Sequence, residues 1–420
     1  MASLAKPVKL LVLPLLLLHL LSFSAALSVG VNYGAFADNL PPPGQVAAFL
    51  KDRTFVDRVK LFDANPDIIR AFAGTGISLM ITVPNGDIPS LASGRSSAPS
   101  PAASAWVATN VAPSTLRPTS PSSPSETRVS TPNSLGILSA SEPPSTGRFR
   151  PGYDRVIFAP MLDFHRRTST PFVVNPYPYF GYTARTLDYA LFRPNPGVFD
   201  AATGVNYTNM FEAQLDAVHA AMQRLGYGDV EIAVGETGWP SAGDPGQLGV
   251  SVEDAVSYNA NLIRLVNSGK GTPMMPGRRF ETYVFALFNE NLKPGPTAER
   301  HFGLFNPDLS PSYDVGLMRD SNYAPAPSSD SWRWCVATAD ASAAELQNNI
   351  DYACGSGGAD CRAIQNGGAC FDPDTLSAHA SYAMNAYYQG AGRYDFNCYF
   401  GGTGVLTSTD PSYGNCRYQS

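Results

Sequence analysis

The chain has 420 residues, enough for two or three domains by length alone, and its 44% hydrophobic content suffices for a large packed core. Only 15% of residues are charged, and 29 basic against 35 acidic residues leave a net charge of −6, which excludes a nucleic-acid binder held by bulk positive charge. An 11% aromatic content with so few charges suits a protein that meets a neutral, hydroxyl-rich partner.

Lys6 and Lys9 precede a leucine-dominated run, Leu10 to Leu21, and then Ser24-Ala25-Ala26. A basic start, a short apolar stretch and small residues before a cut read as a secretory signal peptide over residues 1–26, too short an apolar run to favour a membrane anchor. The chain ends in Cys416-Arg417-Tyr418-Gln419-Ser420 without a hydrophobic tail, so a lipid-anchor signal is not expected. The expectation is a secreted chain with no membrane span.

Short apolar runs then recur at Val29 to Tyr33, Val59 to Phe62, Leu79 to Val83, Phe172 to Val174, Val230 to Val234 and Tyr283 to Phe288. Helical patterns sit between several of them, such as Met210 to Leu225 (apolar at Phe211, Leu215, Val218 and Met222) and Val252 to Val266. Continuous apolar strands alternating with amphipathic helices predict parallel strands buried on both faces, hence an α/β fold. A barrel of such units places its chemistry at the carboxyl ends of its strands. A doubly wound open sheet is the rival, weakened because no Gly-rich nucleotide loop follows the first strand. Asn206-Tyr207-Thr208 is a glycosylation sequon, a pattern common by chance.

Ser114 to Arg128 interrupts this order: it has no apolar period and is full of helix and strand breakers. So long a structureless loop inside a compact domain needs a reason. After the body (residues 27–318), Tyr323-Ala-Pro-Ala-Pro-Ser-Ser-Asp330 marks a Pro/Ser linker (319–331). All six cysteines follow it, in residues 332–420: Cys335, Cys354, Cys361, Cys370, Cys398 and Cys416. An even set in a small terminal region of a secreted chain reads as a disulfide framework, for which arithmetic leaves fifteen connectivities open. Zinc would prefer paired short spacings with histidines nearby, and only His379 sits among them.

Glycoside hydrolysis needs two carboxyl groups, one to protonate the leaving oxygen and one to attack or to activate water. Val230-Glu-Ile-Ala-Val-Gly-Glu236-Thr-Gly-Trp-Pro-Ser241 delivers a glutamate where a buried strand stops, with Trp239 expected to lie flat against a sugar ring. Tyr283-Val-Phe-Ala-Leu-Phe-Asn-Glu290-Asn-Leu-Lys293 repeats the device beside a lysine. Either glutamate alone would pass for a solvated strand end. Two such ends, each flanked by aromatic and amide side chains, point to a site.

Gly235-Glu-Thr-Gly-Trp-Pro-Ser-Ala-Gly243 resembles the signature of the plant endo-1,3-β-glucanases, glycoside hydrolase family seventeen. Gly30-Val-Asn-Tyr-Gly34, Asn175-Pro-Tyr-Pro-Tyr179, Asn289-Glu-Asn-Leu-Lys293 and Glu299-Arg-His-Phe-Gly-Leu-Phe305 fit the same family, over roughly Val29 to Leu317. The resemblance implies a (β/α)8 TIM-type barrel, retention of anomeric configuration and a groove that cleaves within β-1,3-glucan chains. It implies that Glu236 is the nucleophile, that Glu290, Lys293 and Glu299 form the polar cluster around it, and that Tyr33, Asn175, Tyr177, Trp239 and Asn289 meet the glucan. A cation such as Lys293 near the nucleophile would favour its ionised form. No metal or organic cofactor is needed for this chemistry, and a monomer is expected.

The general acid is the exception. In the family it is the glutamate of a Val-Gly-Asn-Glu strand end, due between Trp106-Val-Ala-Thr-Asn-Val-Ala-Pro113 and Val129-Ser-Thr-Pro-Asn-Ser-Leu135. That interval holds only the Ser/Pro stretch, with Glu126 its single carboxylate, so strand four, its acid and the following helix are missing and seven of eight barrel units remain. Codons for Thr119 to Arg128 can be chosen so that a shifted frame spells Ile-Thr-Val-Ile-Ser-Val-Gly-Asn-Glu, which reads as the catalytic strand translated out of frame and followed by a deletion. His165-Arg166-Arg167 also departs from the apolar or small residues usual after Leu162-Asp-Phe164.

The tail resembles the six-cysteine callose-binding module of plant glucanases and cell-wall proteins, through Trp332-Arg-Trp-Cys335, Asp351-Tyr-Ala-Cys354-Gly and His379-Ala-Ser-Tyr382-Ala-Met-Asn385-Ala-Tyr-Tyr388. That resemblance implies pairing of Cys335 with Cys398, Cys354 with Cys361 and Cys370 with Cys416. Tyr382, Tyr387, Tyr388 and Tyr394 are each more simply read as core packing than as a sugar platform, and Trp332 and Trp334 as a plug. The function expected is an endo-1,3-β-glucanase with an appended glucan-binding module. The alternative is a catalytically impaired glucan-binding wall protein.

Overall fold

The computed structural model describes residues 29–84, 86–87, 101–110, 138–140, 142–319, 333–355, 357–391, 393 and 395–420. The expected signal peptide, the Ser114 to Arg128 stretch with Glu126, residues 129–135, Trp332 and Tyr394 lie outside them.

The body opens with β1 (Val29–Tyr33), α1 (Pro43–Arg53), β2 (Val56–Leu61), α2 (Pro66–Phe72), β3 (Ser78–Met80) and α3 (Pro101–Asn110). Then come α4 (Ala159–Thr168), β4 (Phe172–Val174), α5 (Leu187–Ala190), α6 (Met210–Arg224), β5 (Ile232–Thr237), α7 (Val252–Ser268) and β6 (Thr282–Val284). Local chemistry explains several starts. The Asn65 side chain accepts from the amides of Asp67 and Ile68 at the head of α2, with Pro66 in its first turn. Asn209 and Ser251 cap α6 and α7 in the same way.

Six strands pair in parallel in the order β3-β2-β1-β6-β5-β4. The sheet curls into a half barrel, and its first and last strands meet in the middle, as barrel closure requires. Gly30 permits that junction, because a Cβ there would sit 2.5 Å from the Tyr283 ring of β6. Among the described residues the sheet ends at β3 on one side and β4 on the other. The run Tyr283 to Phe288 is a strand only to Val284. Beyond it the Phe285 and Leu287 amides still bond to the carbonyls of Thr237 in β5 and Asn32 in β1, while the Ala286 amide turns to the Phe302 carbonyl, so the regular ladder gives way to irregular backbone.

The helix at Met210–Arg224 differs from its amphipathic expectation, since nearly every residue up to Met222 is buried. Hairpins at Val198–Asp200/Val205–Tyr207 and Gly271–Thr272/Met275–Pro276 cover its outer face. Asp216 is tolerated there because it accepts from the Tyr207 hydroxyl at 2.8 Å and the Met274 amide at 2.9 Å, and from the Thr272 hydroxyl. The unexpected His165-Arg166-Arg167 run also has a structural reason. His165 is buried with Nδ1 2.9 Å from the Thr170 hydroxyl, Arg166 pairs with Asp229 and lies over the Tyr227 ring, and Arg167 pairs with Asp163.

The tail forms its own core. It contains β7 (Trp334–Ala337), α8 (Ala343–Cys354), α9 (Leu376–Gly390) and β8 (Gly404–Thr407), with β7 and β8 antiparallel. Its disulfides join Cys335 to Cys398, Cys354 to Cys361 and Cys370 to Cys416. So small a core gains from such cross-links, which restrict the unfolded chain. Trp334, Tyr387 and Tyr388 are buried in it, whereas Tyr382 is only partly covered, packed against Tyr418.

Candidate active site

Glu236 sits at the carboxyl end of β5, the position that a parallel sheet of this type reserves for chemistry. Its Oε1 lies 2.9 Å from Nζ of Lys60, whose side chain is 1% exposed against 17% for the glutamate. Lys60 rises from β2 and also donates to Oδ1 of Asn32, its register partner on β1, at 3.3 Å. A buried ammonium is tolerated only when compensated, so Lys60 and Glu236 fix each other's position. On the other side the Tyr177 hydroxyl donates to Glu236 Oε2 at 3.3 Å. Burial, and then the charge of Glu236, hold the Tyr177 phenol well above its ordinary pKa, so it stays a donor. Burial also pushes the Tyr33 hydroxyl up to about 12.

The cation beside Glu236 is therefore Lys60, which the sequence expectation had given to Lys293. Lys293 instead lies 3.2 Å from Glu299 and 4.1 Å from the centre of the Phe285 ring. Phe285 in turn contacts Tyr177 and Phe302, so the Lys293–Glu299 pair borders the same cluster. Glu290 is buried, its Oε1 accepting from the Phe36 amide at 2.9 Å, and Gly34 is required beside it because a Cβ would collide with that carboxylate. Asn289 ties two segments together, its Oδ1 accepting from the Gly303 amide at 2.8 Å.

Trp239 is corrected outright. It is fully buried, its indole N–H donates to the Gly249 carbonyl at 2.8 Å, and its ring packs on Tyr179, Tyr182 and Tyr258. It supports the floor of the site and has no face to offer a sugar. Asn175 lies close to the same strand end. It is buried at the end of β4, close to the Cα of Gly235, and its Oδ1 has no hydrogen-bond partner among the described residues. A buried acceptor left open beside the Glu236 strand end is suited to a polar ligand group.

The arrangement holds one carboxylate rigidly between a cation and a hydroxyl donor at a strand end. Comparison with known proteins identifies the family. The family model described as glycosyl hydrolases family 17 matches residues 29–117 and 123–317. The chain belongs to glycosyl hydrolases family 17. An X8 domain matches residues 333–405. A glucan endo-1,3-beta-glucosidase of Triticum aestivum is 50% identical over 462 positions, covering 97% of this chain and 99% of that protein. Glucan endo-1,3-beta-glucosidase 7 of Arabidopsis thaliana is 44% identical, covering 95% of this chain and 86% of that one. Among solved structures, CJP38, a beta-1,3-glucanase and allergen of Cryptomeria japonica pollen, superposes with a TM-score of 0.60 at 34% identity, over 69% of this chain and 98% of that one. The wheat alignment is longer than the 420 residues of this chain, so it includes positions that the relative fills and this chain skips. The break in the family 17 match, between 117 and 123, falls inside the Ser/Pro stretch.

Proposed function

We propose that this chain is a secreted family 17 enzyme built for retaining hydrolysis of internal β-1,3 bonds in cell-wall glucan, with Glu236 as nucleophile and a C-terminal glucan-binding module. The observation that carries the reading is the Glu236 carboxylate held between Lys60 and Tyr177 at the end of β5. In the glycosylation step Oε1 or Oε2 of Glu236 attacks the anomeric carbon, the glycosidic oxygen departs with a proton from the general acid, and water later hydrolyses the ester. Lys60 and Tyr177 aim the carboxylate, Asn175 Oδ1 accepts from a sugar hydroxyl, and Glu290 anchors the loop at Phe36. The relatives' names, glucan endo-1,3-beta-glucosidase in wheat and Arabidopsis, support the choice of substrate.

The second reading, a glucan-binding wall protein with impaired catalysis, is favoured by the sequence between Pro113 and Val129, which contains no Val-Gly-Asn-Glu and has Glu126 as its single carboxylate. Loss of a general acid typically costs ~10²–10⁴-fold in rate. Incubation with soluble β-1,3-glucan, followed by reducing-end assay, distinguishes the two. The chain as written should release little sugar, and a chain given back the Val-Gly-Asn-Glu strand and its helix should hydrolyse the glucan. Equal turnover by both would refute the assignment of the acid to that interval. Sequencing the transcript addresses the frame-shift explanation, because a message encoding the Ser/Pro stretch in frame with intact flanks removes it.

A further inference from the structure

The X8 module is seated on the barrel. The Tyr352 hydroxyl of α8 donates to the Phe192 carbonyl at 3.1 Å, and Arg264 of α7 donates to the Ala391 carbonyl at 2.8 Å. Between the two bodies lies a cavity of about 540 Å³ lined by Asp188, Arg193 and Glu253 from the barrel, and by Tyr399, Val405 and Leu406 from the module. Clefts of ~300–1,000 Å³ at domain interfaces are the usual places for small ligands.

The position of this cleft is informative. Asp188 lies in α5 and Glu253 in the first turn of α7, the helices that follow β4 and β5. Helices of such units begin at the face where the strands end, which is the face carrying Glu236. The two are linked through packing: Tyr182 lies tilted against Trp239, three residues after Glu236, and Gly249 lies so close to Tyr182 and Leu187, next to Asp188, that a Cβ there would meet both.

The lining also selects a chemistry. Arg193 is engaged at 2.8 Å by Asp254 and lies 3.9 Å from Asp188, so the barrel wall offers carboxylate acceptors more than free positive charge. That disfavours an anion. Among the described residues no group of three His, Cys, Asp or Glu side chains is placed to hold a metal ion. The opposite wall is an aromatic and aliphatic surface, with Tyr399 54% and Val405 47% exposed despite their apolar area. Acceptors on one wall and a ring on the other suit a neutral, polyhydroxylated chain.

We infer that this interdomain cleft is an auxiliary binding site for a segment of β-linked glucan, shared between barrel and module and bordering the catalytic face. The inference rests on the glucan reading above. It makes the module a fixed extension of the enzyme's own surface, so that one polysaccharide strand contacts both bodies.

Titration calorimetry of the full chain with a β-1,3-linked glucose hexasaccharide tests it, using Tyr399→Ala and Glu253→Ala, both solvent-exposed residues outside the catalytic cluster. Each variant should bind about tenfold more weakly than the parent while melting at the same temperature. Parental affinity in both variants overturns the inference and leaves the glucan reading intact. A parent chain that binds no hexasaccharide at all overturns both.

Discussion

Lys60 and Glu236 are 176 residues apart in sequence and 2.9 Å apart in space, the ammonium from the second strand reaching across Asn32 to the carboxylate at the end of the fifth. Removing one member of a buried pair leaves the other uncompensated, at a cost of ~3 kcal/mol or more. Lys60→Met should therefore lower unfolding stability by about that amount. Adding Glu236→Gln to it should recover part of the loss. Urea unfolding of the single and double variants gives the coupling, and strictly additive losses would contradict the pairing.

Tyr177→Phe deletes the hydroxyl donor to Glu236 Oε2 and keeps the ring contacts with Phe180, Phe285 and Phe302. One hydrogen bond to a charged group is worth ~1.5–3 kcal/mol. The rate on an activated aryl β-1,3-glucoside should fall at least tenfold with little change in KM. A drop confined to KM would make Tyr177 a binding residue only.

Gly34→Ala places a methyl group where the Glu290 carboxylate stands. Glu290 must then leave the Phe36 amide, so the loop after β1 should shift and activity should fall, while the distant module keeps its fold. Hydrogen exchange at the Phe36 amide reports this directly, and unchanged protection there would contradict it.

Glu212 supplies a pH test. Burial pushes its carboxyl from 4.5 up to about 7, against the opposing Asn209 hydrogen bond and Lys270 charge. Between these values the folded chain keeps a proton that the unfolded chain has released. The stability this contributes is full below 4.5 and lost as pH rises through about 7. Glu212→Gln should raise Tm by several degrees at pH 8 and hardly at all at pH 4. Calorimetric melts at the two pH values check it, and an equal gain at both would contradict the buried-carboxyl account.

The apolar runs announced the strands because parallel strands covered by helices carry little else, and β1 and β4 have their expected bounds. The strand end that carries Glu236 was equally legible from Gly235-Glu-Thr-Gly-Trp-Pro. Lys60 was overlooked although its signal was present: a lysine between Val59 and Leu61 on a buried strand demands a partner. Trp239 was misassigned because sequence shows that an aromatic is near a catalytic turn and does not show which side of the backbone it takes. Its N–H finds the Gly249 carbonyl on the inner side. The all-round burial of α6 depends on two hairpins distant in sequence, and Tyr399 gains its interest only from Asp188 and Glu253 across the interface.

The central claim is that the oxygen of Glu236 attacks the anomeric carbon. A 2-deoxy-2-fluoro β-1,3-linked glucobiosyl fluoride examines it in this chain directly, because fluoride departs without needing a proton from a general acid. Mass spectrometry of the labelled, digested protein should find the sugar esterified to Glu236, and Glu236→Gln should take up none. A label on any other residue, or equal labelling of Glu236→Gln, would contradict the account.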